Sequence, residues 1–137
     1  MKYMMMVKLD RTSEAGKNYE AGTPPDAKLE VAMGKLMEEL TKSGAMVEAA
    51  GLLPLSKGAR IRAAGGKLTM TDGPFIESKE IIGGYAILRA NSKKEALKMG
   101  EDFMMLHVDI LGSSYEGELE IRQMFDPADF GSEDVKG

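Results

Sequence analysis

Residues 69–85 read TMTDGPFIESKEIIGGY, and the reading of this stretch decides the fold. It leaves a strand at Thr71, turns through Asp72-Gly73-Pro74, crosses a charged run (Glu77, Ser78, Lys79, Glu80) and reopens as a strand at Gly83-Gly84-Tyr85. Glycine and proline side by side punctuate the chain strongly, because one permits unusual dihedrals and the other fixes its own. So read, the stretch joins two core strands and overhangs a pocket.

Outward from it the pattern extends in both directions. Residues 84–89 (GYAILR) form a strand; residues 59–64 and 67–71 flank Gly65-Gly66, a two-residue hairpin signal. Residues 45–53 make an earlier strand that Pro54 ends. Residues 2–9 make the first strand, with Met4 and Met6 on one face and Tyr3, Met5, Val7 and Leu9 on the other. Both faces are therefore largely apolar, as in a strand covered twice.

Two helices lie between. The first starts at Thr23-Pro24-Pro25-Asp26, with Thr23 as its cap. It carries Leu29, Ala32, Met33, Leu36, Met37 and Leu40 on one stripe and closes at Gly44. The second opens on the capping box Ser92-Lys93-Lys94-Glu95 and carries Ala96, Met99, Phe103, Leu106 and Ile110. Residues 118–124 (ELEIRQM) close the domain, residues 10–23 read as a polar loop, and residues 131–137 read as a polar tail after a domain of residues 1–130. Strand, helix, strands, helix, strand is the split βαβ order of an α+β ferredoxin-like fold with an inserted β-hairpin. The doubly apolar first strand then calls for a second copy of the chain, giving a dimeric α/β barrel.

Composition removes several functions. The chain has 137 residues, a net charge of -4 and scattered basic residues, which argues against nucleic-acid binding. It has no cysteine, so no disulfide, thiolate nucleophile or Cys-ligated metal is available. The apolar run in MKYMMMVKLDR is too short for a signal-peptide core, and no stretch approaches a membrane span, so the cytoplasm is the default compartment. Twelve methionines and no tryptophan imply an adaptable interior, because thioether side chains fill irregular gaps.

Thr71-Asp72-Gly73-Pro74-Phe75, followed by Glu77, Lys79, Glu80 and Gly83-Gly84-Tyr85, resembles the DGPF-motif branch of the YCII-related proteins. Lys57-Gly58-Ala59-Arg60 and Gly117-Glu118-Leu119-Glu120-Ile121-Arg122 support the resemblance. It implies a ferredoxin-like dimeric α/β barrel, and some members accompany extracytoplasmic-function sigma factors. In the YCII branch proper a His and Asp pair lines a cleft, and one relative eliminates chloride from a muconate-type substrate. The only histidine here, His107, falls at the second helix and not early in the chain, so that pair does not carry over.

Five residues remain as site candidates. Asp72 is either a turn-stabilising acid or a pocket carboxylate; Pro74 lacks the amide that an Asx-turn would use. His107, beside the apolar stripe, is either a packing residue or a general acid–base. Arg122 and Glu120 share one face of the last strand, where Arg122 either pairs with a carboxylate or holds an anionic ligand. Tyr85 is a core aromatic or a pocket-wall hydroxyl. The expected function is binding of a small acidic organic ligand in a homodimer's cleft, with Arg122, Tyr85 and Glu120 as ligand-binding residues. Two alternatives stand beside it: a lyase or isomerase using Asp72 or His107 for proton transfer, and an interaction partner of a sigma factor or other transcription regulator. No metal and no cofactor are expected.

Overall fold

The computed structural model describes residues 1–75 and 77–130; the predicted tail at 131–137 lies outside them. The chain runs β1 (Lys2–Asp10), α1 (Glu14–Glu20), α2 (Ala27–Lys42), β2 (Met46–Gly51), β3 (Ala59–Ala64), β4 (Lys67–Asp72), β5 (Glu80–Arg89), α3 (Lys93–Leu111) and β6 (Glu118–Gln123). Single 3-10 turns lie at Leu55–Lys57 and Pro127–Phe130. The main sheet has the order β2-β5-β1-β6, every neighbour antiparallel, and β3-β4 form a separate two-stranded sheet. This is the ferredoxin-like α+β arrangement with an inserted hairpin; within the single chain the sheet does not close into a barrel.

Alternation along β1 divides the sheet's two faces. Tyr3, Met5 and Leu9 are buried toward the helices, and Met4, Met6 and Lys8 face the other way. Register extends the division: Met5 lies opposite Ala86 and Ile121, while Met6 lies opposite Tyr85 and Glu120. The core gathers Tyr3, Met5, Leu88, Ala90 and Ala96, with Leu40, Met46, Met99, Leu119 and Ile121 packed around it. Its centre is thus the β1–β5 pair under α3. Gly100 lets α3 settle against the neighbouring β6, since a Cβ would meet Ile121 Cδ1 at 2.7 Å and Leu119 Cδ2 at 3.0 Å.

Four boundaries differ from the sequence expectation, each for a local reason. The predicted loop at 10–23 contains α1, capped by the Ser13 hydroxyl, which accepts from the Gly16 amide at 3.0 Å. Seven residues give too little apolar periodicity to announce a helix. The cap of α2 is Asp26 rather than Thr23: its carboxylate accepts from the amides of Lys28 and Leu29, after the two prolines have been passed. In the α3 capping box Ser92 accepts from Glu95 N as expected, but Glu95 reaches the Asn91 amide, one residue further back. Most consequential, β5 starts at Glu80, so the charged run is in part strand. Val7 pairs with Gly84 and Lys8 with Ile82, leaving Gly83 as a bulge between them.

The opening stretch therefore joins the outlying hairpin to the main sheet rather than linking two core strands. Its Asp-Gly-Pro-Phe segment is a packing joint. Gly73 N donates to Gly58 O at 2.9 Å, and the Gly73–Pro74 peptide is cis. Phe75 is buried, and the Arg60 guanidinium lies 3.9 Å over its ring while also engaging Glu77 and Ser78. These contacts tie β3 to the segment that precedes β5.

Candidate functional site

A cavity of about 1090 Å³ opens between the helix-side face of the sheet and helices α1, α2 and α3. It exists because α2 stands partly off the sheet: Leu29 is its one buried residue, while Met33, Leu36, Met37 and Leu40 line the cavity from above. Met5, Met46, Ala86 and Leu88 form the floor, and Met99, Phe103, His107 and Leu119 close the far side. Five methionines thus border one space, which gives its walls shape adaptability. The lining contains no lysine or arginine; its charged members are Asp26 and Glu30, both exposed at the edge.

Polar groups inside are few, and most are occupied. The Tyr19 hydroxyl donates toward the carbonyls of Leu52 and Leu53, and burial pushes its phenol up. The Tyr115 hydroxyl is sealed from solvent with no hydrogen-bond partner among the described residues, and burial raises its phenol too. Tyr115 lies over Gly117 so closely that a Cβ there would come within 2.2 Å of its oxygen.

His107 is the one buried polar or charged residue among those described, 7% exposed. Its ring is held between Phe103 (centroids 4.8 Å apart) and Tyr115 (5.0 Å). Nδ1 lies 3.0 Å from the Phe103 carbonyl oxygen. A carbonyl only accepts, so the proton sits on Nδ1 and Nε2 keeps its lone pair. Burial lowers the His107 pKa, opposed in part by the Phe103 bond.

That shift has a measurable sign. The unfolded chain's histidine takes up its proton near the ordinary value of 6.5, whereas the folded chain resists until lower pH. Stability is therefore full above that value and declines as pH falls from it toward the folded pKa. Urea melts at pH 7.5 and 5.5 are expected to show a loss in the wild type that His107→Gln does not show. The carboxylates with shifted values, Asp10, Glu77 and Glu120, start from 3.8 or 4.5 and move down, so they leave this window clear.

The remaining candidates stand elsewhere. Arg122 and Glu120 lie on the face of the sheet opposite the cavity, level with Met4 and Met6. Arg122 has its side chain 74% exposed and 3.9 Å from Glu120. The principal partner of Glu120 is Lys8, at 2.9 Å, and Lys8 also holds Glu80 at 3.3 Å. Lys8 was not among the sequence candidates; its place opposite the last strand needed the register. The hydrogen bond from Lys8 lowers the Glu120 pKa, and the bond to Glu120 raises that of Lys8. Tyr85 pairs with Met6 on the face away from the helices, so it borders the cavity beside Gly83 and Gly84 through its main chain, and its phenol is raised first by a hydrogen bond to Glu48. Asp72 is exposed at the end of β4 and outside the lining. Of the five candidates, His107 alone brings its side chain to the helix-side cavity.

Among the described residues no three His, Asp or Glu side chains gather to hold a metal ion, and no helix is long and apolar enough to cross a membrane. The model of the YCII-related domain matches residues 1–104, about three quarters of the chain. The chain belongs to the YCII-related family. No curated protein matches the sequence. Within this YCII-related chain the matched segment ends inside α3, so His107, Tyr115 and Arg122 all fall beyond it. The family match covers β1 to β5 and the DGPF joint; β6 and the aromatic cluster around His107 lie outside it.

Proposed function

We propose that this YCII-related protein, a member of the DGPF-motif branch, binds a small, neutral, largely apolar organic compound between its sheet and helix α2. The observation that carries the reading is the methionine-rich cavity with no lysine or arginine in its lining. A buried anion without a cation partner would cost several kcal/mol, and the neutral His107 supplies no charge. The anion-holding role expected of Arg122 belongs to the other side of the sheet, so a neutral ligand suits the cavity better than an acidic one.

Methionine methyl resonances test this by location. Adding 1-methoxynaphthalene is expected to shift Met5, Met33, Met37, Met46 and Met99, which line the cavity, and to leave the exposed Met70 and Met105 in place. At a hundredfold excess over Kd the gain in stability would be about 2.7 kcal/mol. Cavity methyls that stay fixed at saturating probe would sink the reading.

A second reading, proton transfer by His107 on a bound substrate, is favoured by its unprotonated Nε2 in a water-poor setting. The quaternary proposal is a homodimer joined through the open sheet face. Met4, Met6 and Ile87 lie there partly uncovered, Ile82 is 43% exposed, and charges of both signs surround them. Sedimentation should give twice 14.9 kDa for the wild type and a single copy for Met6→Lys; a wild-type monomer at micromolar concentration would remove the proposal.

A further inference from the structure

The cavity's hydrogen-bonding chemistry reduces to very few atoms. Tyr19 is committed to two carbonyls, the Tyr115 oxygen is sealed, and the other polar side chains of the lining, Asn18, Thr23, Asp26 and Glu30, are all exposed. What remains among the buried side chains is His107. Its Nδ1 proton is used by the Phe103 carbonyl, and its Nε2 has no partner among the described residues. The two flanking rings fix the imidazole plane. The Tyr115 oxygen is the sealed, unpartnered side-chain atom among the described residues, so Nε2 is open to the space that His107 lines and can take a donor from a bound molecule. We propose that His107 Nε2 is the specificity contact of the cavity, accepting a hydrogen bond from the hydroxyl of a small aromatic or aliphatic alcohol whose apolar body lies among the methionines. The proposal rests on the cavity-binding reading above and narrows it to ligands bearing one donor.

The chemistry excludes near neighbours of that class. A ketone, ether or carboxylate brings only acceptors to an acceptor, leaving two lone pairs opposed. An alcohol supplies the missing proton. Burial keeps the imidazole neutral at pH 7, which preserves Nε2 as an acceptor.

A matched pair of probes separates the two claims. With wild-type protein at pH 7.5, 1-naphthol is expected to bind roughly tenfold more tightly than 1-methoxynaphthalene, the worth of one net hydrogen bond. In His107→Phe the ratio should fall to about one through loss of naphthol affinity, and His107→Gln, whose amide oxygen accepts, should recover part of it. Ring nitrogen NMR reads the same contact without a substitution: the Nε2 resonance should move with 1-naphthol and stay with the ether. If both probes bind and shift the cavity methionines equally, or the preference survives in His107→Phe, the inference is overturned and the cavity reading stands. If neither probe moves the cavity methionines, the cavity reading fails and takes this inference with it.

Discussion

Gly73→Ala is expected to destabilise the fold by about 3–4 kcal/mol and to lower its melting temperature by roughly 10 °C. A Cβ at this position would stand 1.8 Å from the Leu55 carbonyl oxygen and 2.8 Å from its carbon. Both are backbone atoms of the 3-10 turn, which also holds Gly73 N through Gly58 O, so no side chain can rotate out of the way. Relief requires the DGPF joint to lift from that turn, exposing Phe75 and loosening the stacking of Arg60. Gly34→Ala provides the contrast. Nothing lies within 4 Å of a Cβ there, and the site is interior to α2. Removing a helix glycine should stabilise by about 0.5–1 kcal/mol. Thermal melts of the two variants side by side check the pair, and a neutral Gly73→Ala would refute the joint.

Ile81→Ala should cost about as much by a different route. Ile81 is 1% exposed, the largest fully buried side chain in the described chain, and lies opposite Leu9. Removing its three outer carbons loses their burial and leaves a void that backbone on both sides prevents from closing, for about 3–4 kcal/mol. Ile81→Val removes one carbon and should cost about 1 kcal/mol. Ile82, its neighbour in sequence, faces the open side at 43% exposure. Ile82→Ala should therefore spare the monomer's stability and act on self-association instead. Chemical denaturation of the three variants, read as midpoint shifts at constant slope, decides between them. Equal losses at Ile81 and Ile82 would contradict the division of faces.

The architecture was legible because its signals are local and periodic. The stripe of α2, the alternation of β1 and β6, the Gly65-Gly66 turn with φ of 58° and 75°, and the Ser92 cap each specify their own element. What escaped depended on pairing. Glu80 reads as loop because charge masks its strand character until Asp10 is placed opposite it. Arg122 reads as a pocket cation because alternation says which residues share a face without saying which face has the cavity. Lys8 is one charge in an apolar strand, and its two carboxylates come from strands far apart in the chain. His107 was singled out for being the lone histidine, but its tautomer and its ring neighbours follow from packing between α3 and the Gly112–Gly117 turn.

The bulge at Gly83 reconciles the two halves of β5 with a single β1 partner. Residues 81 and 85 are an even number apart and would share a face in an unbroken strand; here Ile81 goes inward and Tyr85 outward. The β1–β5 ladder is thus two segments in opposite phase, joined by one unpaired residue. Deleting Gly83 would place Ile82 directly before Gly84 with their Lys8 and Val7 pairings kept, giving one continuous alternation in which Ile81 still faces inward and Tyr85 outward. Substitution at residue 83 is a local matter. Removing it takes out the local kink of the bulge and leaves both half-strands on their present faces.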